Sequence, residues 1–193
     1  MRALIHFPII HSPQDLGTLS KSVNKSKTEE QIQQHHAAIE HFWTMIATII
    51  ESLEINYTGL KLYQDGLPVC GKEKEIVAEV AAAGSQNYTL LHSLHCKGAI
   101  LMGTESAKLL LQEHTLMTAL LQSGEKQSSS SETGQNLLSQ RDNYIAQRIN
   151  DTLHEGEMGI LFLGFLHNIE NKLSNDIVLI QPLGKPTGME IKT

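Results

Sequence analysis

Residues 141–183 read RDNYIAQRINDTLHEGEMGILFLGFLHNIENKLSNDIVLIQPL, and this stretch decides the fold class. At its start, Ile145, Ile149 and Leu153 recur at the spacing of one helical face. Gly156 follows them, and glycine suits the end of a helix because it adopts a positive φ without strain. The pattern therefore predicts a helix that begins near residue 141 and ends at Gly156.

An apolar run, MGILFL, fills residues 158–163 directly after this helix. Such a run is typical of a strand that is covered on both faces of a mostly parallel sheet. Gly164-Phe165-Leu166-His167 comes next, so a titratable imidazole follows the strand by a few residues. Ligands of open α/β sheets collect beyond the carboxyl ends of the strands, which makes His167 a candidate site residue. A further strand is predicted within residues 173–183.

Composition narrows the class of protein. The chain has 193 residues, 40% of them hydrophobic, which suits one globular domain. Its net charge of −6 argues against a nucleic-acid partner, because contacts to phosphates require clustered lysine and arginine. No apolar run approaches the roughly 20 residues of a membrane helix, and residues 1–10 lack the pattern of a cleaved leader. From these two observations we expect a cytoplasmic protein. Cys70 and Cys96 are not closely spaced, so we expect two reduced thiols.

Strand and helix signals alternate along the whole chain. Strands are predicted at residues 3–10, 59–63, 98–102, 158–163 and 173–183. Helices are predicted at residues 28–53, 73–83, 85–95, 104–124 and 141–156. This order predicts a single α/β domain over residues 1–193, with a mostly parallel sheet of about five strands and helices on both faces.

Residues 125–135 read EKQSSSSETGQ, a polar segment of low complexity that we predict to be a mobile surface loop. Thr104 is predicted to cap the helix before this loop, which puts Glu105 in the first turn of that helix. Ser139 and Asp142 are predicted to open the helix that follows the loop.

Polar residues follow the predicted strands at four places, namely His11, Asp65, Glu105 and His167. Parallel strands end at one edge of a sheet, so these residues could converge there. Two imidazoles and two carboxylates suit a divalent metal, or a general acid and base. Taken one at a time, however, each is more often a turn or cap residue.

The segment 141–183 also resembles the carboxyl-terminal signature of the TraB/Tiki group, which is related to ChaN-like and erythromycin-esterase-like proteins. The positions that match this signature are Arg141, Asp142, Gly164 and His167. The group's first strand ends in Gly-x-x-His, where this chain has Pro8-Ile9-Ile10-His11. The group usually has Glu after its second strand, where this chain has Gln64-Asp65. The resemblance implies a site at the strand ends, with hydrolysis in some members and metal assistance in the Tiki proteins.

Two functional hypotheses follow. The first is a small hydrolase acting on a small-molecule or peptide substrate, and its proposed residues fall into two sets. The catalytic set is His167, Arg141 and Glu105, and the metal set for a divalent ion is His11, His167 and Asp65. The second hypothesis is a non-catalytic α/β domain that binds a ligand or takes part in an assembly. Either protein is compatible with a homo-oligomer.

Two local patterns leave alternatives open. Arg141 either holds an anionic substrate or forms a local ion pair with the neighbouring Asp142. His92, His95 and Cys96 either present two imidazoles and a thiol to a metal, or they form an ordinary helix end. The second reading of this trio is favoured, because no second ligand pair follows at the spacing of a zinc finger.

Overall fold

A computed structural model describes residues 1–9, 29–123 and 132–184 of the chain. The strands are β1 (Arg2–Ile9), β2 (Lys61–Gln64), β3 (Ile100–Met102), β4 (Met158–Gly164) and β5 (Ile177–Ile180). The helices are α1 (Glu29–Ser52), α2 (Glu73–Ala82), α3 (Gln86–Cys96), α4 (Ala107–Ser123) and α5 (Glu132–Thr152). A short 3₁₀ turn, Glu170–Lys172, lies between β4 and β5.

The five strands form one sheet in the order β3-β2-β4-β1-β5, and every pairing is parallel. Strand β4 lies between β1 and β2 at the centre, where its apolar residues 159–163 are buried. This confirms the predicted α/β fold with a parallel sheet of five strands. All strands of such a sheet end at the same edge, which we call the carboxyl edge.

Helices cover both faces of the sheet, as predicted. On one face, Trp43 of α1 packs with Phe162 of β4 and Phe7 of β1 in a continuous apolar core. On the other face, Ile145 and Ile149 of α5 pack in a second core with strand residues that include Leu4 and Leu161. Helix α5 is therefore fixed against the sheet, which positions the polar side chains that it carries.

The start of α4 differs from the prediction. The helix begins at Ala107, so Thr104 is not its cap. The buried Thr104 hydroxyl instead donates to Met102 O and accepts from the backbone N–H of Gln64. Glu105 consequently lies between β3 and α4, at the carboxyl edge, rather than in the first turn of the helix.

The start of α5 also differs. The helix begins at Glu132 and not at Ser139, so Arg141 and Asp142 lie in its middle. The predicted mobile loop at 125–135 lies outside the described residues as far as residue 131. Its last four residues are the first turn of α5, which corrects the predicted end of the loop.

Two global expectations can be compared with the described residues. Within them, no helix combines the length and the apolar character that crossing a membrane requires. Cys70 and Cys96 are both free and exposed.

His95 Nδ1 lies 2.7 Å from the carbonyl oxygen of Ala99, which is the interaction of an ordinary helix end.

Candidate functional site

Three neighbouring strands bring polar residues to the carboxyl edge. Asp65 follows β2, Glu105 follows β3, and His167 follows β4 by three residues. These strands occupy adjacent or near-adjacent positions in the sheet, so their ends lie side by side. Arg141 and Asp142 reach the same place from the middle of α5.

Glu105 is held in place by a close approach between two backbone segments. The amide of Glu105 donates to Leu67 O, and its carbonyl accepts from the amide of Val69. Gly103 is needed for this approach, because a Cβ there would lie 2.7 Å from Val69 Cα. The Glu105 side chain is 1% exposed, and its Oε1 accepts the N–H of Gly66 at 2.8 Å.

Arg141 is the centre of a buried ionic cluster. Its Nε and Nη2 donate to the two carboxylate oxygens of Glu105, each at 2.7 Å, in a bidentate pair. Nη2 also donates to Asp65 Oδ1 at 2.8 Å, and Nη1 donates to Glu113 Oε1 at 2.5 Å. Glu113 comes from α4, and its side chain is 40% exposed. We call these four residues the arginine cluster.

The electrostatics of the arginine cluster favour a charged guanidinium. Burial lowers the pKa of Arg141, but Glu105, Asp65 and Glu113 more than compensate, and the net direction is upward. Burial raises the pKa of the Glu105 carboxyl, and the nearby charge of Asp65 raises it further, while Arg141 opposes both effects. The cluster is therefore a tightly coupled unit in which each charge depends on the others.

The predicted local ion pair between Arg141 and Asp142 is wrong. Arg141 pairs with residues distant in the chain, and Asp142 instead contacts His167. A guanidinium has five N–H groups, and the described side chains use four of those of Arg141. A bidentate grip on a substrate anion needs two N–H groups, so Arg141 would have to release one of these partners to provide it, and its anion-binding role stays a prediction.

His167 lies between two carboxylates. Its Nδ1 lies 2.6 Å from Asp142 Oδ1, and its Nε2 lies 3.6 Å from Asp65 Oδ2. Asp142 is itself fixed, because its Oδ2 accepts the backbone N–H of Asn168 at 3.0 Å. Asp65 Oδ2 likewise accepts the backbone N–H of Gly164 at 2.9 Å. The turn from β4 thus orients both acids against the imidazole.

This environment changes the proton affinity of His167. Burial lowers the pKa of the imidazole, whereas the hydrogen bond with Asp142 and the charge of Asp65 raise it. The net direction is upward from the ordinary value of 6.5. An imidazole that is fixed at Nδ1 and stabilised in its protonated form has the properties of a general base.

The cluster opens into a cleft of about 590 Å³. Asp65, Arg141 and His167 line its polar part, and Glu113 stands beside them. The remaining wall is mainly apolar and comes from α3, α4, α5 and the turn after β4. A mostly apolar cleft with a few convergent polar groups is the usual form of a small-molecule site.

A divalent metal needs donors that are free to bind it. Both oxygens of Glu105 accept from Arg141, and each oxygen of Asp65 accepts an N–H of Arg141 or Gly164. Across residues 1–9, 29–123 and 132–184, no group of three or more His, Cys, Asp or Glu side chains is arranged to hold a metal. Within the described residues, His167 Nε2 lies 3.6 Å from Asp65 Oδ2, and these two atoms do not form a metal site by themselves. His11 lies outside the described residues, so the metal set with His11, His167 and Asp65 remains a prediction.

The sequence-based candidates thus have clear positions. Asp65, Glu105, Arg141 and His167 converge at the carboxyl edge. Glu113 was missed, because nothing distinguishes it from the other polar residues of α4. Its one signal is the spacing from Leu109 and Leu116, which places it between the half-buried apolar positions of that helix.

His6 was also missed. It lies on β1, 8% exposed, on the face of the sheet that α5 covers. Its Nδ1 is 3.2 Å from Gln181 Nε2, whereas Nε2 is buried and has no hydrogen-bond partner among the described residues. Burial lowers the pKa of His6 to about 4, with the charge of Glu170 opposing this effect and that of His167 adding to it. The sequence carries no signal for His6, because this histidine lies within the apolar pattern of a strand.

We expect His6 to make the fold sensitive to acid. Its pKa in the unfolded chain is near 6.5, so the unfolded state takes up a proton first as the pH falls. Stability is therefore lost between pH 6.5 and pH 4, by up to about 3 kcal/mol. Urea titrations of the wild type and of His6→Leu over this range should show a difference that grows as the pH falls. A constant difference would mean that the pKa of His6 is the same in the folded and unfolded states.

The fold and site define an α/β protein that carries a buried arginine–carboxylate–histidine cluster at the carboxyl edge of a parallel sheet. Comparison of the chain with protein-family models, with curated proteins and with solved structures gives no match. The function is therefore inferred from the site itself.

Proposed function

We propose that this protein is a hydrolase of the TraB/Tiki-like kind, which cleaves an ester or amide bond in the cleft at the carboxyl edge. The observation that carries the proposal is the contact between His167 Nδ1 and Asp142 Oδ1 at 2.6 Å. A carboxylate at Nδ1 orients the ring and stabilises the imidazolium, and it leaves Nε2 to take a proton. The resemblance of residues 141–183 to the TraB/Tiki signature supports the same assignment.

The proposed reaction begins with a water molecule that hydrogen-bonds to both His167 Nε2 and Asp65 Oδ2, which are 3.6 Å apart. Nε2 accepts a proton from this water as its oxygen bonds to the carbonyl carbon of the substrate. The remaining N–H of Arg141 donates to the carbonyl oxygen, which becomes negative. The imidazolium then returns the proton to the leaving group as its bond to carbon breaks.

Glu105 has a supporting role in this proposal. Its side chain is 1% exposed and both its oxygens are bonded to Arg141, so it does not reach a substrate. It is a positioning residue that fixes the orientation of Arg141.

The free and exposed Cys70 and Cys96 fit a reducing compartment, so we place the proposed enzyme in the cytoplasm.

The proposal is tested by measuring hydrolysis of p-nitrophenyl esters and peptide p-nitroanilides by the purified protein, with and without EDTA. We expect at least one substrate class to be cleaved, with a loss of roughly 10²- to 10⁴-fold in His167→Ala. His36→Ala is the matched control, because His36 is exposed on α1, and it should retain full activity. Loss of activity in EDTA and recovery with Zn²⁺ would assign a metal and implicate His11.

Non-catalytic ligand binding or assembly is the second candidate. What favours it is the saturation of the arginine cluster, since the oxygens of Glu105 and Asp65 already accept hydrogen bonds within the protein. Helix α4 gives a second reason. None of its described side chains is fully buried, so a partner in an assembly could cover this helix. Equal rates for the wild type and His167→Ala on every substrate would refute the hydrolase and leave this candidate.

A further inference from the structure

We infer that the cleft selects an amphipathic acyl compound, with an apolar chain and a neutral or positively charged group, and that it rejects anions. This inference rests on the proposed hydrolase for the statement that the bound molecule is a substrate. The preference for chain and charge is a property of the cleft and can be measured without catalysis.

The apolar part of the preference comes from the wall of the cleft. The side chains concerned are Tyr88, Leu110, Leu111, Met117, Leu138 and Leu166. Leu111 and Leu166 are each 67% exposed, although both line the cleft. Covering such exposed leucine side chains with an apolar chain removes apolar surface from water, which stabilises the bound state. The cleft volume of about 590 Å³ lies in the range of sites that take small molecules.

The charge preference comes from the polar part of the cleft, which we call the floor. Asp65 and Glu113 line it with Arg141 and His167. Glu105 and Asp142 lie behind them, paired with Arg141 and His167, so four carboxylates surround one guanidinium and one imidazole. The floor therefore keeps a negative excess even when His167 is protonated. An anion entering it meets this excess, and Arg141 has too few free N–H groups to compensate.

Glu113 sets the charge at the entrance to the floor. It is the most exposed carboxylate of the arginine cluster, with 40% of its side chain accessible, and it lines the cleft. A positively charged group on a ligand can approach Glu113 without displacing the buried pair of Arg141 and Glu105. Glu113 is therefore the residue through which the charge preference can be changed while the fold is left intact.

The test uses three probes with the same eight-carbon chain and different head groups, namely octyltrimethylammonium, octan-1-ol and octanoate. None of them can be hydrolysed, so binding to the wild-type protein is measured by calorimetry without turnover. The buffer is at pH 8, above the ordinary imidazole pKa of about 6.5, and at low salt, where charges are weakly screened. We expect octyltrimethylammonium to bind at least about tenfold more tightly than octanoate, with octan-1-ol between them.

Substitutions test the apolar part and the charge part of the preference separately. Glu113→Gln should reduce the ratio between cation and anion at least about threefold, while it leaves octan-1-ol unchanged. Leu111→Ser and Leu166→Ser should each weaken all three probes by about threefold to tenfold. Leu53→Ser is the matched control, because Leu53 is 40% exposed and lies outside the cleft, and it should change nothing.

The outcomes separate this inference from the hydrolase proposal. Binding with the expected order, together with no ester or amide hydrolysis, would keep the inference about ligand class and refute the enzyme. Hydrolysis together with equal binding of octanoate and octyltrimethylammonium would keep the enzyme and overturn the inference. Absence of binding by all three probes, or binding that Leu111→Ser does not affect, would overturn it as well.

Discussion

Arg141→Met is expected to lower the free energy of unfolding by about 3 to 5 kcal/mol at pH 7. Arg141 is 5% exposed, and removal of its guanidinium leaves Glu105 and Asp65 buried without their shared cation. Methionine replaces most of the apolar stem, so the loss reports the charge and its hydrogen bonds rather than packing. Urea unfolding followed by circular dichroism measures it.

The pH dependence of the Arg141→Met effect identifies its cause. Without Arg141, the pKa values of the two buried carboxyls rise in the folded state above their unfolded values. The folded variant then binds more protons than the unfolded chain, so its stability increases as the pH falls. The difference from the wild type should therefore shrink toward pH 4. A difference that stays constant with pH would indicate lost packing instead of unpaired charge.

Two further variants serve as controls for Arg141→Met. Glu113→Gln removes the exposed member of the arginine cluster and should change stability little, because partly exposed ion pairs contribute little. Arg141→Met combined with Glu105→Gln should recover part of the loss, since one unpaired charge is removed. An Arg141→Met loss no larger than that of Glu113→Gln would contradict the central position given to Arg141.

The parts of the fold that were predictable are those with strong local signals. Residues 158–163 form an unbroken apolar run because β4 is central and covered on both faces. The parallel arrangement follows from the alternation of strands and helices, and it brings Asp65, Glu105 and His167 to one edge. Those three were found because polar residues that follow a strand within a few positions are easy to locate in a sequence.

The start of α5 was not predictable, because its first turns carry no apolar period. Residues 132–136 are ETGQN, and Leu137 is the first buried residue of the helix. The later part of α5, fixed to the sheet by Ile145 and Ile149, continues backward into this polar segment. The position of Arg141 in mid-helix therefore depends on tertiary packing that the local sequence does not encode.

Long-range partners were beyond the sequence for the same reason. Glu113 reaches Arg141 only because α4 lies beside α5, and no spacing rule relates residues in two different helices. Arg141 and Asp142 are adjacent in the chain but point to different partners, since neighbouring residues on a helix lie about 100° apart. The ionic cluster is thus a product of the packing, whereas the strand-end residues are a product of the topology.

Asp142→Asn is expected to reduce kcat for the proposed hydrolysis by roughly 10²- to 10⁴-fold while the fold is retained. The backbone N–H of Asn168 donates to Asp142 Oδ2, so the amide oxygen of the variant must face Asn168. Its NH₂ group then faces His167 Nδ1 and donates to it. The neutral imidazole must carry its proton on Nε2, which can no longer accept one from water.

The pH–rate profile distinguishes this loss from a structural one. In the wild type, the hydrogen bond with Asp142 and the charge of Asp65 hold the pKa of His167 above 6.5 against the effect of burial. Activity that needs the neutral base should therefore fall as the pH drops through that raised pKa. Removing the Asp142 charge lowers the pKa of His167, so the acidic limb of the profile should move to lower pH in Asp142→Asn.

The matched control for Asp142→Asn is Asp151→Asn. It is the same substitution on the same helix, at an exposed residue whose Oδ1 accepts from Gln147 Nε2, 2.8 Å away. It should leave both kcat and the acidic limb unchanged, and both variants should melt within a few degrees of the wild type. If Asp142→Asn keeps the wild-type kcat while His167→Ala is inactive, His167 acts without its carboxylate partner. The general-base assignment through Nε2 would then be wrong, because it requires Asp142 to hold the proton at Nδ1.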